Sequence, residues 1–188
     1  MTFLFTALLI GDSHFVGDMG THLMKMYPKS AMFVMIGAGS ITFSKPVIHN
    51  VCCPWLYQTW DGRRITILKS GRSKGMKTSP SSIGAILRAV RPAKIIIHLG
   101  NNQGDDHTGL LKAIRKHTAV PIYWVGIFRI KSHKAINYRI KQAIKQFKRV
   151  YYVDVTDLKY LDAQHTDFVH YSGPRAKAWA SKIWERTK

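Results

Sequence analysis

Acidic side chains are scarce in this chain: 10 Asp plus Glu stand against 29 Lys plus Arg over 188 residues, a formal net charge of +19 at pH 7. A surface of that sign repels cationic partners and attracts polyanions: nucleic acid, anionic cell-wall polymers, lipopolysaccharide or acidic polysaccharide. Cysteine is nearly missing. Only Cys52 and Cys53 occur, and adjacent residues rarely reach disulfide geometry, which excludes a stapled secreted scaffold and points to a reducing compartment. No internal repeat and no low-complexity linker interrupts the chain, so a single domain over 1–188 is expected, long enough to bury a core at 46% hydrophobic composition. The opening apolar run Thr2 to Ile10 has no basic leader and no small-residue cleavage site, and it is too short to span a bilayer. It reads as a buried strand, and the expected location is the cytoplasm. The nine histidines show no His-Glu-x-x-His or other paired-ligand spacing, so neither metal nor cofactor is expected.

What is present is alternation. Short apolar runs at Phe3 to Ile10, Ala31 to Ile36, Lys94 to Leu99, Pro121 to Ile127 and Val150 to Val155 have the near-continuous character of strands covered on both faces. Between them lie helical stripes: Val16, Met19, Leu23 and Met26; Ile83, Ile86, Leu87 and Val90; Leu110, Leu111 and Ile114; Ile136, Ile140, Ala143, Ile144 and Phe147. A closing helix is signalled by Ser172 as cap, Pro174 in the first turn, and Ala176, Trp179, Ala180 and Ile183 on one face. The pattern predicts an α/β fold with a parallel sheet and helices on both faces, with ligands bound at the carboxyl ends of the strands. Residues 42 to 82 read as an elaborated crossover. In it the run Ile65 to Leu68 either joins the sheet or forms a small excursion, and the basic stretch Arg63 to Lys77 has no assigned role.

Three polar clusters stand where strands end. Gly11-Asp12-Ser13-His14 follows the first strand; there a glycine permits a tight turn and a helix amino terminus offers N–H groups beside the Ser13 hydroxyl. The competing use of Asp12 and Ser13 is plain helix capping. Gly100-Asn101-Asn102 follows Lys94 to Leu99, the clearest strand, where Asn102 is either a turn residue or an amide donor to a developing oxyanion. Asp167-Phe168-Val169-His170 precedes the last helix, at an offset that lets a carboxylate hold Nδ1–H while Nε2 faces a serine.

Taken in chain order, Gly11-Asp12-Ser13, Gly100-x-Asn102 and Asp167-x-x-His170 resemble blocks I, III and V of the SGNH, or GDSL-like, hydrolases. The resemblance spans nearly the whole chain. It implies a flavodoxin-like three-layer sandwich around five parallel strands, and a serine esterase with Ser13 as nucleophile, His170 as base and Asp167 as its partner. Ser13, Gly39 and Asn102 would form the oxyanion hole, with Gly37 and Gly71 as alternatives to Gly39 for the block II donor. A short acyl group, acetyl above all, on a carbohydrate or cell-wall polymer is the implied substrate. Two positions depart from the family: Gln103 stands where an Asp is usual, and His14 follows the serine directly. The stretch Val169 to Gly173, with Trp179-Ala180, resembles a bacterial and phage subgroup, which makes a phage-encoded product one origin consistent with the sequence.

Rival motifs are weaker. Gly71-Arg72-Ser73-Lys74-Gly75 matches a nucleophile elbow, but an elbow serine starts a helix at once and Pro80 delays the next one. The same loop to Thr78 lacks the Gly-Lys-Ser/Thr of a phosphate-binding loop. A noncatalytic polyanion-binding module would make the charge itself the function, although no nucleic-acid motif accompanies the scattered basic residues.

Overall fold

The computed structural model describes residues 4–46, 55–62, 64–67, 73–74, 82–100, 102, 104–127, 133–155 and 172–188. Its centre is β1, Leu8–Gly11, with every residue buried. It pairs in parallel with β2, Ala31–Met35, on one side and with β6, Ile95–His98, on the other. Beyond β6 lie β7, Ile122–Val125, and β8, Val150–Val153, both parallel as well. These are the five apolar runs expected from sequence. Among themselves they lie in the order second, first, third, fourth, fifth, which is the flavodoxin-like arrangement.

Three described segments of the crossover are strands. β3, Trp55–Thr59, pairs antiparallel with β2, and β4, Arg64–Ile67, and β5, Ser73–Lys74, continue outward in antiparallel register. The sheet therefore has eight strands in the order β5-β4-β3-β2-β1-β6-β7-β8, and the run near Ile65 joins it. Ser73 lies in an edge strand and does not open a helix, which removes the elbow geometry.

Alternating strand residues feed two cores, the arrangement a parallel sheet needs when helices cover both faces. On one face Leu8, Ile10, Phe33, Ile97 and Trp124 pack with Phe43, Ile86, Leu87, Leu110, Ile114 and Ile140. Those partners come from α3, Ser40–Ser44, α4, Ile83–Val90, α5, His107–Arg115, and α6, His133–Ile144. On the other face Leu9, Met32, Val34, Ile96 and Val125 pack with Phe15, Met19, Leu23, Trp179 and Ile183, carried by α1, Ser13–Val16, α2, Asp18–Met26, and α7, Gly173–Thr187. Each fully buried side chain of this size contributes about 1.5–3 kcal/mol. The stripe from Val16 to Met26 is one helix by periodicity but two in the structure. Gly17 is extended, with φ −87° and ψ −157°, and separates α1 from α2. Glycine weakens a helix by about 1 kcal/mol relative to alanine, so the chain turns there at little cost. Ser172 stands at the N-cap of α7 without a side-chain capping bond, and Pro174 lies in the first turn as expected. Among the described residues no helix is long and apolar enough to cross a membrane.

Candidate active site

In this strand order the chain leaves β1 toward β2 on one side and returns to β6 on the other. In sheets of this topology ligands bind outside the carboxyl ends of the strands at such a switch point, here β1 and β6. The residues following β1, β2 and β6 all meet at this edge.

Gly11, the last residue of β1, must be glycine for steric reasons. A Cβ there would lie 2.7 Å from the Phe15 ring, which closes the first turn of α1 against the strand. Asp12 is the N-cap of α1 and fully buried. Its Oδ1 accepts the His14 backbone N–H at 3.0 Å, and the backbone N–H groups of Phe15 and Val16 both reach its carbonyl. The capping role read from sequence is thus real and belongs to Asp12. Ser13, the next residue, is half-buried at the head of α1.

The other Asp12 oxygen is bonded as well. Oδ2 accepts from the Asn102 side-chain amide at 3.2 Å, and the same amide donates to the Ala38 carbonyl at 3.3 Å. One side chain thereby ties the loop after β6 to the residue beside Ser13 and to the residue beside Gly39. Gly39 is the extended N-cap of α3, at φ −96° and ψ 175°. Gly37 sits in the preceding turn at φ +76°. The structure thus brings Ser13, Gly39 and Asn102 to one edge. Both hydrogens of the Asn102 amide are engaged there, the longer bond being the one to Ala38. Asp167 and His170, with Gly71 and Gln103, lie outside the described residues. Beyond His170 the chain re-enters the described structure next to α2, where the Gly173 N–H at the start of α7 donates to Asp18 Oδ2 at 2.9 Å.

Two features beneath this edge are not evident from sequence. His98 ends β6 directly opposite Gly11 in register. It is 4% exposed, its ring centroid is 5.2 Å from that of His14, and Phe15 meets it edge-on at 5.6 Å. Burial pushes the His98 imidazole down from 6.5 to about 4, so it is neutral at ordinary pH and forms part of the packing floor under α1. On the far side of Asn102, Ser40 and His107 are buried and bonded to each other at 2.9 Å. Among the described residues no group of three or more His, Cys, Asp or Glu is arranged to hold a metal ion.

No protein-family model matches this sequence. Neither does any curated protein. Among solved structures, the chain is similar to the C-terminal catalytic domain of peptidoglycan O-acetyltransferase A (OatA) from Streptococcus pneumoniae, solved with a methylsulfonyl adduct. The likeness has a TM-score of 0.56 at 13% identity and covers 97% of this chain and 92% of the other. The shared property is the fold, and it is the three-layer arrangement that the resemblance to SGNH hydrolases implies.

Proposed function

We propose that the protein is a serine esterase that removes short acyl groups, acetyl above all, from a carbohydrate or cell-wall polymer. The observation that carries the reading is the bridge made by Asn102, whose amide joins the turn bearing Ser13 to the turn bearing Gly39. A nucleophile and two groups able to donate to an oxyanion are thereby held at the edge where ligands bind in sheets of this topology.

In this reading His170 takes the Ser13 hydroxyl proton as Oγ attacks the acyl carbon, while Asp167 holds the imidazole in the required tautomer. The tetrahedral oxyanion accepts hydrogen bonds from the Ser13 and Gly39 backbone N–H groups and from Asn102, which exchanges its 3.3 Å bond to Ala38 for one to the developing charge. The alcohol leaves with the proton from His170. A water deprotonated by the same imidazole then releases the acid from the acyl-enzyme. The roles of Asp167 and His170 rest on their place in the sequence motif, together with the anchoring of Gly173 on Asp18. Of the block II candidates Gly39 is preferred over Gly37 and Gly71 for its place after the second strand, at the N-cap of α3.

The similar solved structure is named as an O-acetyltransferase of peptidoglycan, and this favours a second reading in which a sugar hydroxyl replaces water as acyl acceptor. The two share every step up to the acyl-enzyme. Ser13→Ala is expected to abolish hydrolysis of p-nitrophenyl acetate while its circular dichroism and urea midpoint stay near wild type; unchanged turnover would remove Ser13 from the mechanism. Adding an oligosaccharide acceptor then separates water from sugar as the acceptor by whether acetylated sugar accumulates.

A further inference from the structure

Ser40, the first residue of α3, has no exposed surface. Its Oγ accepts the Asp106 backbone N–H at 2.8 Å and lies 2.9 Å from His107 Nδ1. A hydroxyl has one proton to give. The oxygen has two lone pairs, so with the Asp106 N–H on one of them the contact to Nδ1 is made with either the hydroxyl or the ring nitrogen as donor. Nε2 faces Asp105 Oδ1 at 3.8 Å, and Asp105 is paired in turn with Arg139 on α6. Burial holds the His107 imidazole below its ordinary value, Arg139 acting in the same direction and Asp105 and Asp106 opposing it.

Ser40, His107 and Asp105 have the composition of a catalytic triad but not its access. Ser40 is fully enclosed, and the His107 ring is 5% exposed and packed edge-on against Trp124 at 5.0 Å. No ester can reach this hydroxyl, so whatever it does is done through its neighbours. Those neighbours are informative. Around Ser40 the loop after β2 and the loop after β6 are joined by two further hydrogen bonds and a close approach. The Ile41 N–H donates to the Gly104 carbonyl at 3.0 Å. Asn102 donates to the Ala38 carbonyl at 3.3 Å. Gly104 has φ +93°, and a Cβ built on it would meet Ile41 Cγ2 at 2.6 Å, so only glycine allows the two loops to approach this closely. Gly39 stands between Ala38 and Ser40, flanked on both sides by bonds to the loop that carries Asn102.

We propose that Ser40 and His107 are positioning residues that lock the turn bearing Gly39 to the loop bearing Asn102, and so fix the two proposed oxyanion donors relative to each other. This rests on the roles given to Gly39 and Asn102 above and adds to them the device that keeps the two donors in register. A displacement of about 1 Å at such a pocket costs up to roughly 100-fold in rate, and two buried side chains with both partners fixed are suited to preventing it.

The test compares Ser40→Ala, His107→Leu and His107→Asn with wild type. Asparagine keeps an acceptor near the place of Nδ1, whereas leucine does not. Turnover of p-nitrophenyl acetate is expressed per site reactive with a fluorophosphonate, and stability is followed by urea unfolding. Ser40→Ala and His107→Leu are expected to lower kcat about 10- to 100-fold with KM changed less than about twofold, and His107→Asn to recover most of the loss. A purely structural role would move the urea midpoint and leave kcat per reactive site at the wild-type value, which overturns the proposal. A second readout does not depend on activity. By amide NMR, Ser40→Ala should shift the Gly39 amide and the Asn102 side-chain amide. If those resonances stay in place, the lock does not exist, whatever the enzyme assay gives. If they move but Ser13→Ala still turns over substrate, the lock stands and the esterase reading fails.

Discussion

Asp12 is a single buried carboxylate with two tasks: one oxygen caps α1 through the His14 N–H, and the other receives Asn102. The first task is written locally, since Asp before a helix start is a capping signal. The second is not, because its partner is far along the chain and only the sheet order brings them together. His98 shows the same divide. In sequence it is one more histidine at a strand end; in the structure it is sealed against His14 and Phe15. Its folded value near 4 lies below the unfolded 6.5. Between those values the unfolded chain binds more protons than the folded one, so stability is whole above about pH 6.5 and falls as pH drops toward 4. The shift corresponds to roughly 3 kcal/mol. Urea titrations across this range should show that His98→Leu flattens the acid slope relative to wild type; an unaltered slope would mean that His98 is not the titrating group.

At the scale of elements, long periods were readable and short ones were not. The five parallel strands and helices α2, α4, α5, α6 and α7 announce themselves by apolar runs and stripes. α3 covers only Ser40 to Ser44, too short to show a period, and β3 to β5 belong to a crossover whose composition did not separate strand from loop. The end of β7 depends on a contact that no pattern reveals. Asn137 on α6 accepts the Ile127 N–H at 2.7 Å and donates to the Ile127 carbonyl at 2.6 Å, supplying to a buried backbone group both bonds that another strand would have made. Alanine at position 137 leaves that N–H and carbonyl buried and unpaired. The expected loss is about 3 kcal/mol, measured as a lower urea midpoint with an unchanged slope. A loss below about 0.5 kcal/mol would show that the bonds are replaced by water.

For the whole molecule, fold and site were legible to different depths. Alternation along the chain gave the layers, polar clusters at two strand ends gave Ser13 and Asn102, and the family resemblance gave Gly39; the sheet gathers these three at one edge. Asp167 and His170 remain assignments from the motif. The charge of +19 belongs to this scale as well. If it serves an anionic polymer substrate, affinity for such a polymer should fall at least about tenfold between roughly 50 and 200 mM salt, while turnover of uncharged p-nitrophenyl acetate changes less than about twofold. Polymer affinity that ignores salt would detach the charge from substrate binding. The most direct test of the esterase assignment asks which serine is activated. Treatment with a fluorophosphonate probe, then digestion and mass mapping, should place the adduct on Ser13 and on no other serine, Ser40 and Ser73 included. An adduct on Ser73, or none on the folded protein, would contradict it.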